Sequence, residues 1–140
     1  MYLRLVDDRK KIHCAFVIGK ARLAPIREIT IPRLELSAAL ISAKLSKMVS
    51  EELEYKLDAI VCWTDSTSVL KCLNNDIKRF HTFESNRLTA IRNYTLPSQW
   101  RYIPSKENPA DDASKGLKIE SLIKNGRWLN GPEFLWKEEE

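Results

Sequence analysis

Apolar and polar positions alternate from the first residues of the chain. Tyr2-Leu3-Arg4-Leu5-Val6 has the period of a strand, Asp7-Asp8-Arg9-Lys10 is a polar turn, and Ile12-His13-Cys14-Ala15-Phe16-Val17-Ile18-Gly19 is a second strand, so the pair predicts a hairpin. The pattern is already under way at Met1-Tyr2 with no polar lead-in, which reads as a sheet edge whose preceding partner strand is missing. After Ala24-Pro25-Ile26, Pro32 stands where a helix begins, and Leu34, Leu36, Ala39, Leu40, Ala43, Leu45 and Val49 follow, predicting a helix over residues 32–54. Leu57 to Thr64 is a short apolar run rich in strand formers, expected as a central strand parallel to its neighbour across the helix, because strand–helix–strand order implies a right-handed crossover.

Asp65-Ser66-Thr67-Ser68 then supplies N-cap residues for a helix carrying Val69, Leu70, Cys72 and Leu73, and Phe80 to Tyr94 carries a longer one with Phe83, Leu88 and Ile91. Gln99-Trp100-Arg101-Tyr102-Ile103-Pro104 alternates like a last strand, and Asn108-Pro109-Ala110-Asp111-Asp112-Ala113 opens another helix with proline just inside. Trp63 is expected in the core and Trp100 in sheet packing. The tail, with Trp128, Phe134, Trp136 and Glu138-Glu139-Glu140, is aromatic without periodicity. The pattern therefore predicts one α/β domain over residues 1–125 and an exit segment over 126–140 leading toward a following domain.

Composition narrows the function classes. A chain of 140 residues, 44% hydrophobic, can bury one core without disulfide staples. Cys14, Cys62 and Cys72 are odd in number, lie in apolar runs and lack C-x-x-C spacing, so they read as buried free thiols in a reducing compartment. No apolar stretch reaches the roughly 20 residues a membrane span needs, and the N-terminus lacks a signal-peptide pattern. The expectation is a soluble intracellular protein, cytoplasmic or nuclear. A net charge of +4, with bases gathered in Arg9-Lys10-Lys11, Lys78-Arg79 and Lys115-Lys118 among other runs, suits a polyanionic partner.

Three acidic positions fall where the predicted structure changes direction. Asp65 closes a buried strand, where carboxylates point into the crevice of an open α/β sheet. Glu35 sits in the first turn of the long helix, and Asp111 and Asp112 in the first turn of the helix after the last strand. Each has an ordinary explanation: Asp65 as an N-cap, Glu35 as an acid answering the helix dipole, Asp111-Asp112 as a cap. Converging on one cleft, they repel and need cations. Hard oxygen ligands without His or Cys point to Mg²⁺ or Mn²⁺, and a pair of such ions clamps the attacking and leaving oxygens of a phosphodiester. His13 and His81 have no partner at ligand or dyad spacing and read as structural or surface residues.

Six ordered blocks extend this reading: Phe16 to Pro25, Thr30-Ile31-Pro32-Arg33-Leu34-Glu35-Leu36, Trp63-Thr64-Asp65-Ser66, Pro97-Ser98-Gln99-Trp100-Arg101, Asn108 to Ser114, and Trp128-Leu129-Asn130-Gly131-Pro132. Together they resemble the ribonuclease H region of BEL/Pao-type LTR retrotransposon polyproteins. The resemblance implies an α/β ribonuclease H-like mixed sheet flanked by helices, here with its first strand missing. It implies a metal-dependent endonuclease that hydrolyses the RNA strand of RNA–DNA hybrids with two Mg²⁺ or Mn²⁺ ions, and neighbouring polyprotein domains as partners. Of the four carboxylates that do this in the family, Glu35 matches the second and Asp65 the third. The fourth falls on Asp111 or Asp112, with Asn-Pro-Ala-Asp favouring Asp111. The first has no counterpart, since it belongs to a strand ahead of Tyr2. Glu35, Asp65 and Asp111 are thus the expected metal ligands, and Arg33, Lys106, Lys115 and Lys78 the expected hybrid contacts. Two readings stay open: an endonuclease completed by adjoining sequence, or a non-catalytic relic that binds nucleic acid or serves as a protein-interaction domain.

Overall fold

A computed structural model describes residues 1–75 and 80–138. In chain order the elements are β1 (Tyr2–Val6), β2 (Ile12–Phe16), α1 (Ile31–Glu52), β3 (Cys62–Thr64), α2 (Thr67–Leu73), α3 (Thr82–Tyr94), β4 (Trp100–Tyr102), α4 (Pro109–Lys115), α5 (Ile119–Asn125) and α6 (Arg127–Asn130), with 3-10 turns at Pro97–Gln99, Ser105–Glu107 and Glu133–Trp136. This is a mixed α/β chain of small sheets and helices. It divides into two compact units, one formed by Leu23–Ile103 and the other by Met1–Arg22 with Pro104–Glu140.

In the hairpin unit, β1 and β2 pair antiparallel with Tyr2 opposite Phe16, Arg4 opposite Cys14 and Val6 opposite Ile12. Asp7 closes the turn, its Oδ1 accepting from the Arg9 and Lys11 amides at 2.9 and 2.8 Å, while Lys10 takes a positive φ of 63°. The second strand ends at Phe16, short of the expected Gly19, but the Val17 amide still donates to the Met1 carbonyl and the Met1 amino group to the Ile18 carbonyl. The tail packs on this hairpin. Tyr2 donates its hydroxyl to the Trp128 carbonyl at 2.6 Å, Arg4 donates to the Leu135 and Lys137 carbonyls, and the Phe16 and Trp128 rings lie 5.3 Å apart. His13 is structural in the same sense, edge-on to Trp136.

The helical unit is built on α1, which starts within one residue of Pro32 as the sequence predicts. Its buried stripe of Leu36, Ala39 and Ala43 packs with Val69 and Leu73 of α2, Leu88 and Ile91 of α3, and Cys62 and Trp100 of the strands in one core. The expected strand over 57–64 is regular only from Cys62 to Thr64, and its hydrogen-bonded partner is β4, parallel, with Cys62 opposite Trp100 and Thr64 opposite Tyr102. Ahead of it the Ile60 carbonyl accepts from the Gln99 side-chain amide at 3.2 Å, so a side chain takes the place of a ladder bond. Strand alternation then decides the tryptophans. Cys62 and Trp100 face inward at 8% and 6% exposure, whereas Trp63, expected in the core, points outward at 37% with the Arg101 guanidinium 5.7 Å from its ring. Inside, the Trp100 indole donates to Thr95 Oγ1 at 2.8 Å, and Thr95 donates on to the Ile91 carbonyl. Among the described residues no helix is long and apolar enough to cross a membrane.

Candidate functional site

In the helical unit the site begins at the corner between β3 and α2. Ser66, not Asp65, is the N-cap: its Oγ accepts the Val69 amide at 3.2 Å. The same hydroxyl donates to Glu35 Oε2 at 2.6 Å, and the Ser66 amide donates to Thr64 Oγ1. The bond brings α1 to the residue that follows Asp65. Because α1 starts at Ile31, its first turn carries no acid and Glu35 lies beyond it, where the helix dipole has faded. Both ordinary explanations thus fail here: Asp65 does not cap, and Glu35 is not a first-turn acid. Both side chains are half-buried, and among the described residues no cation pairs with either.

In the hairpin unit, Asn108 caps α4 by accepting from the Ala110 amide, so neither aspartate of the doublet is the cap. The two then part ways. Arg127 grips Asp112 with two parallel bonds of 2.9 and 2.6 Å, at side-chain exposures of 23% and 17%, and also donates to the Lys106 and Asn108 carbonyls. Asp111 pairs with Lys115 at 2.7 Å, a lysine 73% exposed. Its hydrogen bond to Asp111, with that carboxylate's charge, holds the Lys115 ammonium above its usual range. A cavity of about 190 Å³ borders Asp112, but its other walls are mostly apolar, with Leu117, Leu122 and Trp128, and suit no phosphate.

The expected hybrid contacts meet different fates. Arg33 is engaged within its unit, pairing with Glu84 at 2.8 Å and lying 4.9 Å from the Phe83 ring centre. Lys115 is held by Asp111, and Lys106 is exposed in the 3-10 turn Ser105–Glu107. Lys78 lies outside the described residues. His81 occupies the N-cap position of α3 without a side-chain capping bond. Two residues the sequence reading did not single out emerge from the contacts: Ser66, hidden among four possible caps, and Arg127, in a tail without periodicity.

Within either unit, among the described residues, no three His, Cys, Asp or Glu side chains stand close enough together to hold a metal ion. A hydrated Mg²⁺ needs fewer, because it keeps several waters and takes one or two carboxylates. Glu35 and Asp65 are both hard oxygen donors with no neutralising partner among the described residues, which is the donor chemistry such an ion takes. Residues 1–66 match the family described as Pao retrotransposon-like RNaseH-like domain. Comparison with curated proteins and with solved structures gave no match.

Proposed function

Residues 1–66 being a BEL/Pao retrotransposon ribonuclease H-like region, we propose that Glu35 and Asp65 are metal ligands of a site that hydrolyses the RNA strand of RNA–DNA hybrids. The observation that carries the reading is the 2.6 Å bond from Ser66 to Glu35, which ties the second family carboxylate to the residue beside the third. A divalent cation bound there supplies a Lewis acid at the scissile phosphate. The protein's part is to hold the Glu35 carboxylate in one orientation, and among the described residues no cation competes for it or for Asp65. Of the doublet in the other unit, Asp111 is the freer to take a metal: an exposed lysine gives way at little cost, whereas Asp112 would have to leave a two-bonded, partly buried arginine. Lys106, exposed and without an ion pair among the described residues, is left free to contact a nucleic-acid phosphate. The family resemblance implies one more carboxylate ligand, and activity is best tested in a polyprotein segment that carries the full set.

The test is cleavage of a labelled hybrid by such a segment in Mg²⁺. Cleavage of the RNA strand, abolished by Glu35→Gln, is expected; cleavage unaffected by that change would remove the site. Salt-dependent hybrid binding without cleavage in any form marks the non-catalytic relic, and no binding at all favours a protein-interaction domain.

A further inference from the structure

The Ser66 hydroxyl serves two neighbours at once. Its oxygen accepts from the Val69 amide at 3.2 Å, and its single proton goes to Glu35 Oε2 at 2.6 Å. That second distance lies in the range of hydroxyl–carboxylate bonds strengthened by charge. Ser66 is 5% exposed, so its hydroxyl has little water to turn to in place of the carboxylate. Glu35 stands on α1 and turns about three side-chain bonds, and the helix alone does not choose among those rotamers. The Ser66 bond does. It occupies one lone pair of Oε2 and leaves Oε1 the freer oxygen for a cation.

We propose that Ser66 is a positioning residue for Glu35, coupling the N-cap of α2 to the orientation of the metal-ligating carboxylate on α1. The inference rests on the metal-ligand reading of Glu35 and Asp65, and adds to it which residue sets the ligand's geometry. It separates cleanly from a role in capping alone. As N-caps, threonine and glycine are near equals, below serine and well above alanine. As proton donors to Glu35, threonine keeps the hydroxyl while glycine and alanine both lack it.

The experiment measures Mn²⁺ affinity of the full chain by calorimetry for wild type, Ser66→Thr, Ser66→Gly, Ser66→Ala and Glu35→Gln, with amide exchange at Val69 reporting the cap. The expected order is wild type and Thr together, then Gly and Ala together, weaker by roughly ten- to a hundredfold, as for other partners that orient a ligand. Thr and Gly binding alike, with Ala alone impaired, would show that Ser66 only caps and overturn the proposal. If Glu35→Gln weakens Mn²⁺ but Ser66→Gly does not, the positioning role falls and the ligand reading stands. If Glu35→Gln binds as wild type, both fall.

Discussion

At the scale of single residues, burial and neighbours decide what each group can do, and Cys62 shows this outside the site. Burial pushes its thiol up to about 11 from an ordinary 9.0. The thiolate is then favoured in the unfolded chain, so the stability from keeping the thiol neutral is intact below pH 9 and is lost as pH rises from 9 to 11. The loss amounts to about 2–3 kcal/mol. Urea midpoints are expected to fall across that window, and Cys62→Ala to flatten the fall even though it lowers stability at neutral pH. An equal slope in the variant would contradict the assignment. The acids were legible in sequence as positions but not as roles. Asp65 stood one residue from the true cap, and one residue is below what N-cap preferences resolve, since Asp and Ser cap equally well. Glu35 moved out of the first turn because the helix starts at Ile31, and its bond to Ser66 spans 31 residues that no local pattern connects.

At the scale of elements, the long helix was legible and the strand after it less so. The spacing of Leu36, Ala39 and Ala43 gave α1 nearly to its ends, because a long 3.6-residue period leaves few alternatives. The run from Leu57 to Thr64 carries the same apolar residues whether or not it is hydrogen bonded, so only three residues of it proved to be strand. What fixes β4 to α3 is the chain of bonds from the Trp100 indole through Thr95 to the Ile91 carbonyl, all buried. Trp100→Phe removes the donor and strands the Thr95 oxygen. It is expected to cost about 1–3 kcal/mol in denaturant unfolding, and adding Thr95→Val is expected to recover part of that loss. A neutral Trp100→Phe would mean the bond does not hold the element.

At the scale of the whole molecule, each unit has its own account. The hairpin unit joins residues far apart in sequence, with Tyr2 reaching Trp128 and Arg4 reaching Leu135. A tail without periodicity gave no sign of this, because its order comes from the hairpin it covers. The Tyr2 phenol, pushed up to about 12 mainly by burial, reports the cover. Ending the chain after residue 125 is expected to speed amide exchange across residues 2–16 on the order of tenfold or more, the loss of more than about 1.4 kcal/mol of protection; unchanged exchange would show the tail to be an adornment.

The helical unit carries the proposed cation site of Glu35 and Asp65, within the family-matched residues 1–66. Its most direct test is the broadening of backbone amide signals by Mn²⁺ titrated into the intact chain. Saturable broadening centred on Glu35, Asp65 and Ser66 that disappears in Glu35→Gln is expected. Broadening that spares these residues, or that persists unchanged in Glu35→Gln, would contradict it.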